Sequence, residues 1–204
     1  MNGGVVRGRS AEVTRETRET QVRVTLNLDG SGESDVNTGI GMLDHLLEQI
    51  ARHARFDLSV RAQGDVERDA HHTVEDVGIC IGQALNQALG ERAGIVRMAD
   101  ATVPLDEALT MVALDLGGRG YAVIDLPFAG ERIGELPVQM IGHFLQSLAF
   151  EARMSLHVRL LAGYNDHHRA ESAFKALARA LAVATRLDPR LEGAIPSTKG
   201  TLSP

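Results

Sequence analysis

One rare pattern occurs twice in this chain, as His71-His72-Thr73-Val74-Glu75 and His167-His168-Arg169-Ala170-Glu171. The second copy starts 96 residues after the first, and four of the chain's eight histidines lie in the two copies. On a helix, positions i and i+4 share a face, so His71 with Glu75, and His167 with Glu171, can each grip one cation. His72 and His168 point about 100° around the helix, which lets each copy serve two metals. Imidazole with carboxylate is a ligand set for divalent transition metals, and one such pair alone could equally be a solvated helix face. Two copies in matching contexts favour the metal site.

The surroundings repeat as well. Leu43-Asp44-His45-Leu46-Leu47-Glu48-Gln49 and Phe56-Asp57-Leu58-Ser59-Val60 precede the first copy; Ile141-Gly142-His143-Phe144-Leu145-Gln146-Ser147 and Met154-Ser155-Leu156-His157-Val158 precede the second. His45 and His143 are therefore equivalent. Leu26-Asn27-Leu28-Asp29-Gly30 is echoed by Leu114-Asp115-Leu116-Gly117-Gly118. The chain reads as two similar halves, 1–92 and 93–190, followed by a tail, 191–204. That period is too long for a solenoid of short repeats.

The expected fold is α+β, with mostly antiparallel strands and two helices per half. The run Ala11 to Leu26 alternates apolar or β-branched residues with charged ones, the period of a half-exposed strand. Asp29-Gly30-Ser31-Gly32 turns the chain. A helix is expected from about Met42 to Ala54, a strand over Asp57 to Gln63, a loop over Gly64 to Ala70, and then the helix bearing the first motif. The second half repeats the order: strands near Thr102 to Leu105, Glu107 to Leu116 and Tyr121 to Leu126, helices near Val138 to Ala152 and His168 to Arg186. Each half has one sheet face to cover with its helices, so the helices should form a layer between the two sheets.

Composition removes several alternatives. A net charge of −6 and 3% aromatic residues argue against a broad basic or stacking surface for nucleic acid. The single cysteine, Cys80, lies in an apolar helical run, which excludes an internal disulfide framework and makes a reducing cytoplasm the default. No apolar run approaches the ~20 residues of a membrane span. A ferritin-like bundle needs four long helices carrying Glu-x-x-His, whereas this chain has His-x-x-x-Glu and strand segments.

Several spaced motifs carry a family resemblance. Gly39-Ile40-Gly41-Met42-Leu43-Asp44-His45, Asp69-Ala70-His71-His72-Thr73-Val74-Glu75-Asp76, Gly163-Tyr164-Asn165-Asp166-His167-His168, Phe174-Lys175-Ala176 and Pro196-Ser197-Thr198-Lys199-Gly200 resemble the imidazoleglycerol-phosphate dehydratase family of histidine biosynthesis. The resemblance spans about Arg9 to Leu202. The chain departs from the family's pattern at Gly117-Gly118-Arg119-Gly120, Met42 and Met98, and none of these removes a metal ligand or phosphate contact.

The resemblance implies two Mn2+ ions per site, with other divalent transition metals able to compete. Helical geometry then suggests a distribution: one ion on His71, Glu75, His143 and His168, the other on His45, His72, His167 and Glu171. It also implies a lyase that removes water from imidazole glycerol phosphate to give imidazole acetol phosphate, through a metal-stabilised imidazolate. His71, Glu75, His167 and Glu171 would then serve catalysis as well as metal binding, with Glu19 as proton shuttle and substrate contact. Arg97, Arg119, Ser197, Thr198 and Lys199 would hold the phosphate, Lys175 would touch substrate, and Gln49 and His53 would extend the face of His45 into the pocket. His157, in a strand, reads as structural. The resemblance further implies a homo-oligomer of 24 subunits with sites between neighbouring chains, and a tail that orders over the substrate, although its composition alone reads as a loose end. A dinuclear metallohydrolase acting on a small phosphorylated substrate is the chemical alternative.

Overall fold

A computed structural model describes residues 8–66 and 68–202. In the first half, β1 (Ser10–Glu16), β2 (Thr20–Asn27), β3 (Ser34–Asn37), α1 (Gly41–Ala54), β4 (Asp57–Gly64) and α2 (His71–Leu89) follow in order. The second half contains β5 (Met98–Leu105), β6 (Ala108–Asp115), β7 (Tyr121–Asp125), a small hairpin of β8 (Arg132–Ile133) and β9 (Leu136–Pro137), α3 (Val138–Glu151), β10 (Ser155–Ala162) and α4 (Asp166–Ala184).

The duplication is visible strand by strand. One sheet has the order β1-β2-β4-β3 and the other β5-β6-β10-β7, with only the last pair of each parallel. Asn27 pairs with Asp57 in the first sheet, and Asp115 with Ser155 in the second, so these positions correspond. The run read as one strand from Ala11 to Leu26 is instead a hairpin. Thr17 breaks it: its Oγ1 accepts from the N–H groups of Glu19 and Thr20, at 3.1 and 3.0 Å, which turns the chain without Gly or Pro.

The alternation of β2 buries Val22, Val24 and Leu26 under α2, and β6 likewise buries Ala108, Val112 and Leu114 under α4. Helices pair across the halves, α1 with α4 and α2 with α3, and the helical layer lies between the sheets. Small residues allow the close approach. A Cβ added at Gly82 would meet the backbone oxygen of Leu148 on α3 at 2.8 Å. Phe144 and Phe174 stack at 5.6 Å in the centre of that layer. Asp76, beside Glu75 on α2, is 5% exposed and accepts from Arg15 Nε at 2.7 Å and from the Thr20 hydroxyl, which ties the motif helix to the first hairpin.

After α4 the chain makes a short 3-10 turn (Pro189–Leu191) and returns along Gly94, whose N–H donates to the Ala194 carbonyl at 2.8 Å. Leu202 is buried, and at Gly118 (φ +84°) an added Cβ would lie 1.7 Å from its carbonyl oxygen. Only glycine admits the tail there.

Candidate metal centre

The helical layer carries two histidine–carboxylate clusters. His45 on α1 joins His167 and Glu171 on α4, and His143 on α3 joins His71 and Glu75 on α2. In each cluster the donor atoms lie within 4.8 Å of one another. A His-x-x-x-Glu pair from one half thus meets a lone histidine from the other. The cause is the cross-half pairing of helices, which sets α1 against α4 and α3 against α2.

In the first cluster, Glu171 Oε2 lies 3.1 Å from His45 Nε2 and 3.0 Å from His167 Nε2, and the two rings are 5.5 Å apart. Burial pushes the Glu171 carboxyl up. Hydrogen bonds and charge from Lys175 and His45 outweigh it and hold the group at about 2. In the second cluster, His143 Nε2 lies 3.1 Å from Glu75 Oε1, and the His71 and His143 rings are 4.8 Å apart. His143 Nε2 is buried without a hydrogen-bond partner. A buried imidazole nitrogen that lies 3.1 Å from a carboxylate oxygen without hydrogen-bonding to it fits a bound cation, because two neighbouring donors on an octahedral ion at about 2.2 Å stand about 3.1 Å apart.

The fourth expected ligand of each ion is elsewhere. His168 is not with His71, Glu75 and His143; its Nδ1 lies 2.7 Å from Glu107 Oε2. His72 is not with His45, His167 and Glu171; its Nδ1 lies 3.3 Å from Asp65 Oδ1. Both face away from the clusters because i and i+1 diverge by about 100° on a helix. The bonded carboxylate raises the pKa of each imidazole, and Glu107 in turn is held at about 2 by His168 and by the Asn165 and Tyr164 amides.

The other expected site residues fall into three places. Gln49 and His53 share the α1 face of His45, and His53 is pushed down first by burial and then by the Lys175 and Arg179 charges. Lys175 Nζ is 2.6 Å from Glu171 Oε1, at the edge of the first cluster. Arg97, Arg119, Ser197, Thr198 and Lys199 line one cavity of about 730 Å3 with Met98, Gly117, Pro196, Thr201 and Leu202; none of the cluster histidines lines it. Arg97 (φ +78°) pairs with Asp115 at 2.7 Å and donates to the Pro196 carbonyl at 2.7 Å, while Arg119 is exposed. Glu19 is exposed in the β1–β2 turn, and His157 faces outward on β10.

Two residues were not foreseen from the sequence. Asn165 caps α4, its side chain accepting from the N–H groups of His167 and His168 at 2.9 and 3.3 Å, and an Asn just before a helical motif is a readable signal. Glu107 carried no local signal in its turn.

The sequence model of the imidazoleglycerol-phosphate dehydratase family matches residues 38–181. The chain belongs to this family. The imidazoleglycerol-phosphate dehydratase of Dehalococcoides mccartyi is 57% identical over 95% of this chain and 97% of its own length, and that of Chloroflexus aggregans is 56% identical over 98% of both. Among solved structures, the imidazoleglycerol-phosphate dehydratase of Staphylococcus aureus matches with a TM-score of 0.80 at 32% identity, over 88% of this chain and 99% of its own. That of Pyrococcus furiosus, solved in complex with (S)-C348, matches with a TM-score of 0.80 at 33% identity, over 93% and 99%. The chain is a dehydratase, a hydro-lyase.

Proposed function

We propose that this enzyme removes water from imidazole glycerol phosphate to give imidazole acetol phosphate, in histidine biosynthesis in the cytoplasm. The observation that carries the reading is the pair of clusters of like composition, each a His-x-x-x-Glu pair with one histidine from the other half, and the unpartnered His143 Nε2. His71, Glu75 and His143 would hold one divalent cation, and His45, His167 and Glu171 the other. His168 would complete the first set and His72 the second, each from a neighbouring copy of the chain. That arrangement agrees with both facing away from the clusters of their own chain, and it makes the active form a homo-oligomer, which we take to be of 24 subunits. Nitrogen and oxygen donors without thiolate suit Mn2+, while zinc, iron and cobalt compete by affinity.

Divalent cations held by these residues would supply Lewis-acid charge beside the imidazole of the substrate, which favours an electron-rich ring able to expel the hydroxyl on its neighbouring carbon. The residues of the chain do the rest. Glu171 stays ionised at every working pH because Lys175 and His45 hold its carboxyl at about 2. Glu19 returns a proton to the hydroxyl on the carbon beside the ring, which leaves as water, and takes one from the next carbon along; the enol so formed on that second carbon becomes the ketone. Arg119, Ser197, Thr198 and Lys199 hold the phosphate, with Arg97 bracing the tail through the Pro196 carbonyl. Gln49, His53 and Lys175 flank the substrate on the α1–α4 side. In domain terms, the two halves carry the clusters, and the tail, described through Leu202, would order over the bound phosphate beside Arg97 and Arg119.

The test is direct. Purified protein given imidazole glycerol phosphate should form the ketone, lose activity with chelator and regain it with Mn2+. Release of inorganic phosphate in place of ketone would identify a dinuclear hydrolase instead.

A further inference from the structure

Each half of the chain places a glutamate directly before its second strand: Glu19 before β2 and Glu107 before β6. Those strands are equivalent, since Asn27 and Asp115, the last residue of each, pair with the first residues of β4 and β10. Glu19 and Glu107 are therefore one position of the ancestral unit. Their surroundings have diverged. Glu19 is exposed, whereas Glu107 is engaged at both oxygens. Its Oε1 accepts from the Tyr164 and Asn165 N–H groups at 3.2 and 2.8 Å, and its Oε2 lies 2.7 Å from His168 Nδ1.

An ionised carboxylate only accepts hydrogen bonds, so His168 must donate its Nδ1–H to Glu107. That assignment leaves the Nε2 lone pair as the coordinating atom. The exposed Asp106 carboxylate is 3.8 Å from Nε2, beyond hydrogen-bond reach. Asn165 meanwhile fixes the backbone beneath the ring through the His167 and His168 N–H groups. One carboxylate thus joins the β5–β6 turn, the cap of α4 and the imidazole ring.

We propose that Glu107 is a positioning residue, which sets the tautomer and direction of His168 so that Nε2 is presented to a divalent cation. The duplicated glutamate position would then have split its work: proton handling at Glu19, histidine orientation at Glu107. This rests on the reading of His168 as a metal ligand. Groups that hold the far nitrogen of a ligating histidine commonly change metal affinity by 10- to 100-fold when removed.

The test is a cycle of Glu107→Ala, His168→Ala and the double variant, with Mn2+ binding to the metal-free protein measured by calorimetry and the thermal midpoint of the metal-free protein recorded beside it. Glu107→Ala should weaken one of the two ions by 10- to 100-fold and leave the other unchanged. The double variant should bind no more weakly than His168→Ala alone, because Glu107 acts through that ring. Glu107→Gln keeps an oxygen for Nδ1–H and should fall between wild type and alanine; it also carries the cycle if the alanine variant does not fold. Summed losses in the double variant would mean that Glu107 acts only by bracing Tyr164 and Asn165, and would overturn the proposal. Wild-type binding in Glu107→Ala with a lost ion in His168→Ala would overturn the positioning role while leaving the ligand reading intact. Two ions bound normally by His168→Ala would remove the ligand reading and the proposal with it.

Discussion

Lys175 Nζ lies 2.6 Å from Glu171 Oε1, the oxygen opposite the one that faces His45 and His167. The lysine sits one helical turn beyond the carboxylate on α4, so it neutralises Glu171 from behind and leaves Oε2 to the imidazoles. The carboxyl is held at about 2, below its ordinary 4.5. A depressed carboxyl contributes stability that is present above its unfolded pKa and is lost as pH falls through the folded value. Metal-free protein should therefore lose stability between about pH 5 and pH 2. Lys175→Met should reduce that loss by ~1–3 kcal/mol, because Glu171 then titrates nearer its ordinary value. Urea unfolding of both proteins across this pH range, with chelator present, checks it. Parallel curves would show that Lys175 does not set the charge of Glu171.

Replacing either cluster carboxylate should remove one ion and turnover together. Glu75→Gln leaves His71 and His143 with a neutral amide, a poor ligand for a divalent cation, and Glu171→Gln does the same to His45 and His167. Elemental analysis after dialysis should show about half the metal of the parent in each variant, with activity lost in both. Full metal content in Glu75→Gln would remove that residue from the ligand set.

Phosphate recognition separates into a contact and a scaffold. Arg119→Ala should raise KM by about ten- to a hundredfold with metal content unchanged, the worth of one charge-assisted contact. Gly118→Ala tests the scaffold: at φ +84° the new Cβ would meet the Leu202 carbonyl, so the tail must lift. KM should rise in that variant too, and a protease should cut the tail faster than in the parent. Resistance to cleavage together with normal KM would show that the tail does not depend on this contact.

Much of this was legible because the chain repeats itself. The i,i+4 spacing picked out His71 with Glu75 and His167 with Glu171; the distribution drawn from the family resemblance added His143 and His45, which lie beside those pairs, and His168 and His72, which do not. What periodicity could not register was local side-chain chemistry. The alternation from Ala11 to Leu26 runs on through a turn made by a threonine hydroxyl, so the hairpin was invisible until Thr17 was seen accepting two backbone amides. Residues Ser34–Asn37 form a strand on one apolar residue, Val36, because β4 supplies the register. Glu107 looks like any turn glutamate until its three partners are in view, and the tail reads as loose because its anchors, Gly118 and Arg97, lie about a hundred residues upstream.

Glu19 is the residue on which the chemistry of this proposal turns. It stands in the β1–β2 turn, its N–H held by Thr17 Oγ1 at 3.1 Å, and the Thr20 hydroxyl beside it is bonded to Asp76 on the helix of Glu75. The turn is thus anchored to the motif helix while the Glu19 side chain stays exposed. Glu19→Gln preserves shape and hydrogen-bonding capacity but accepts no proton near neutral pH, so turnover should fall by about 10²- to 10⁴-fold. Metal content and substrate affinity should stay near those of the parent, which separates this role from those of Glu171 and Arg119. Asp76→Asn should give a smaller loss, since it loosens the turn without removing the base. Undiminished turnover in Glu19→Gln would return the residue to an ordinary solvated turn carboxylate and assign proton transfer to another group.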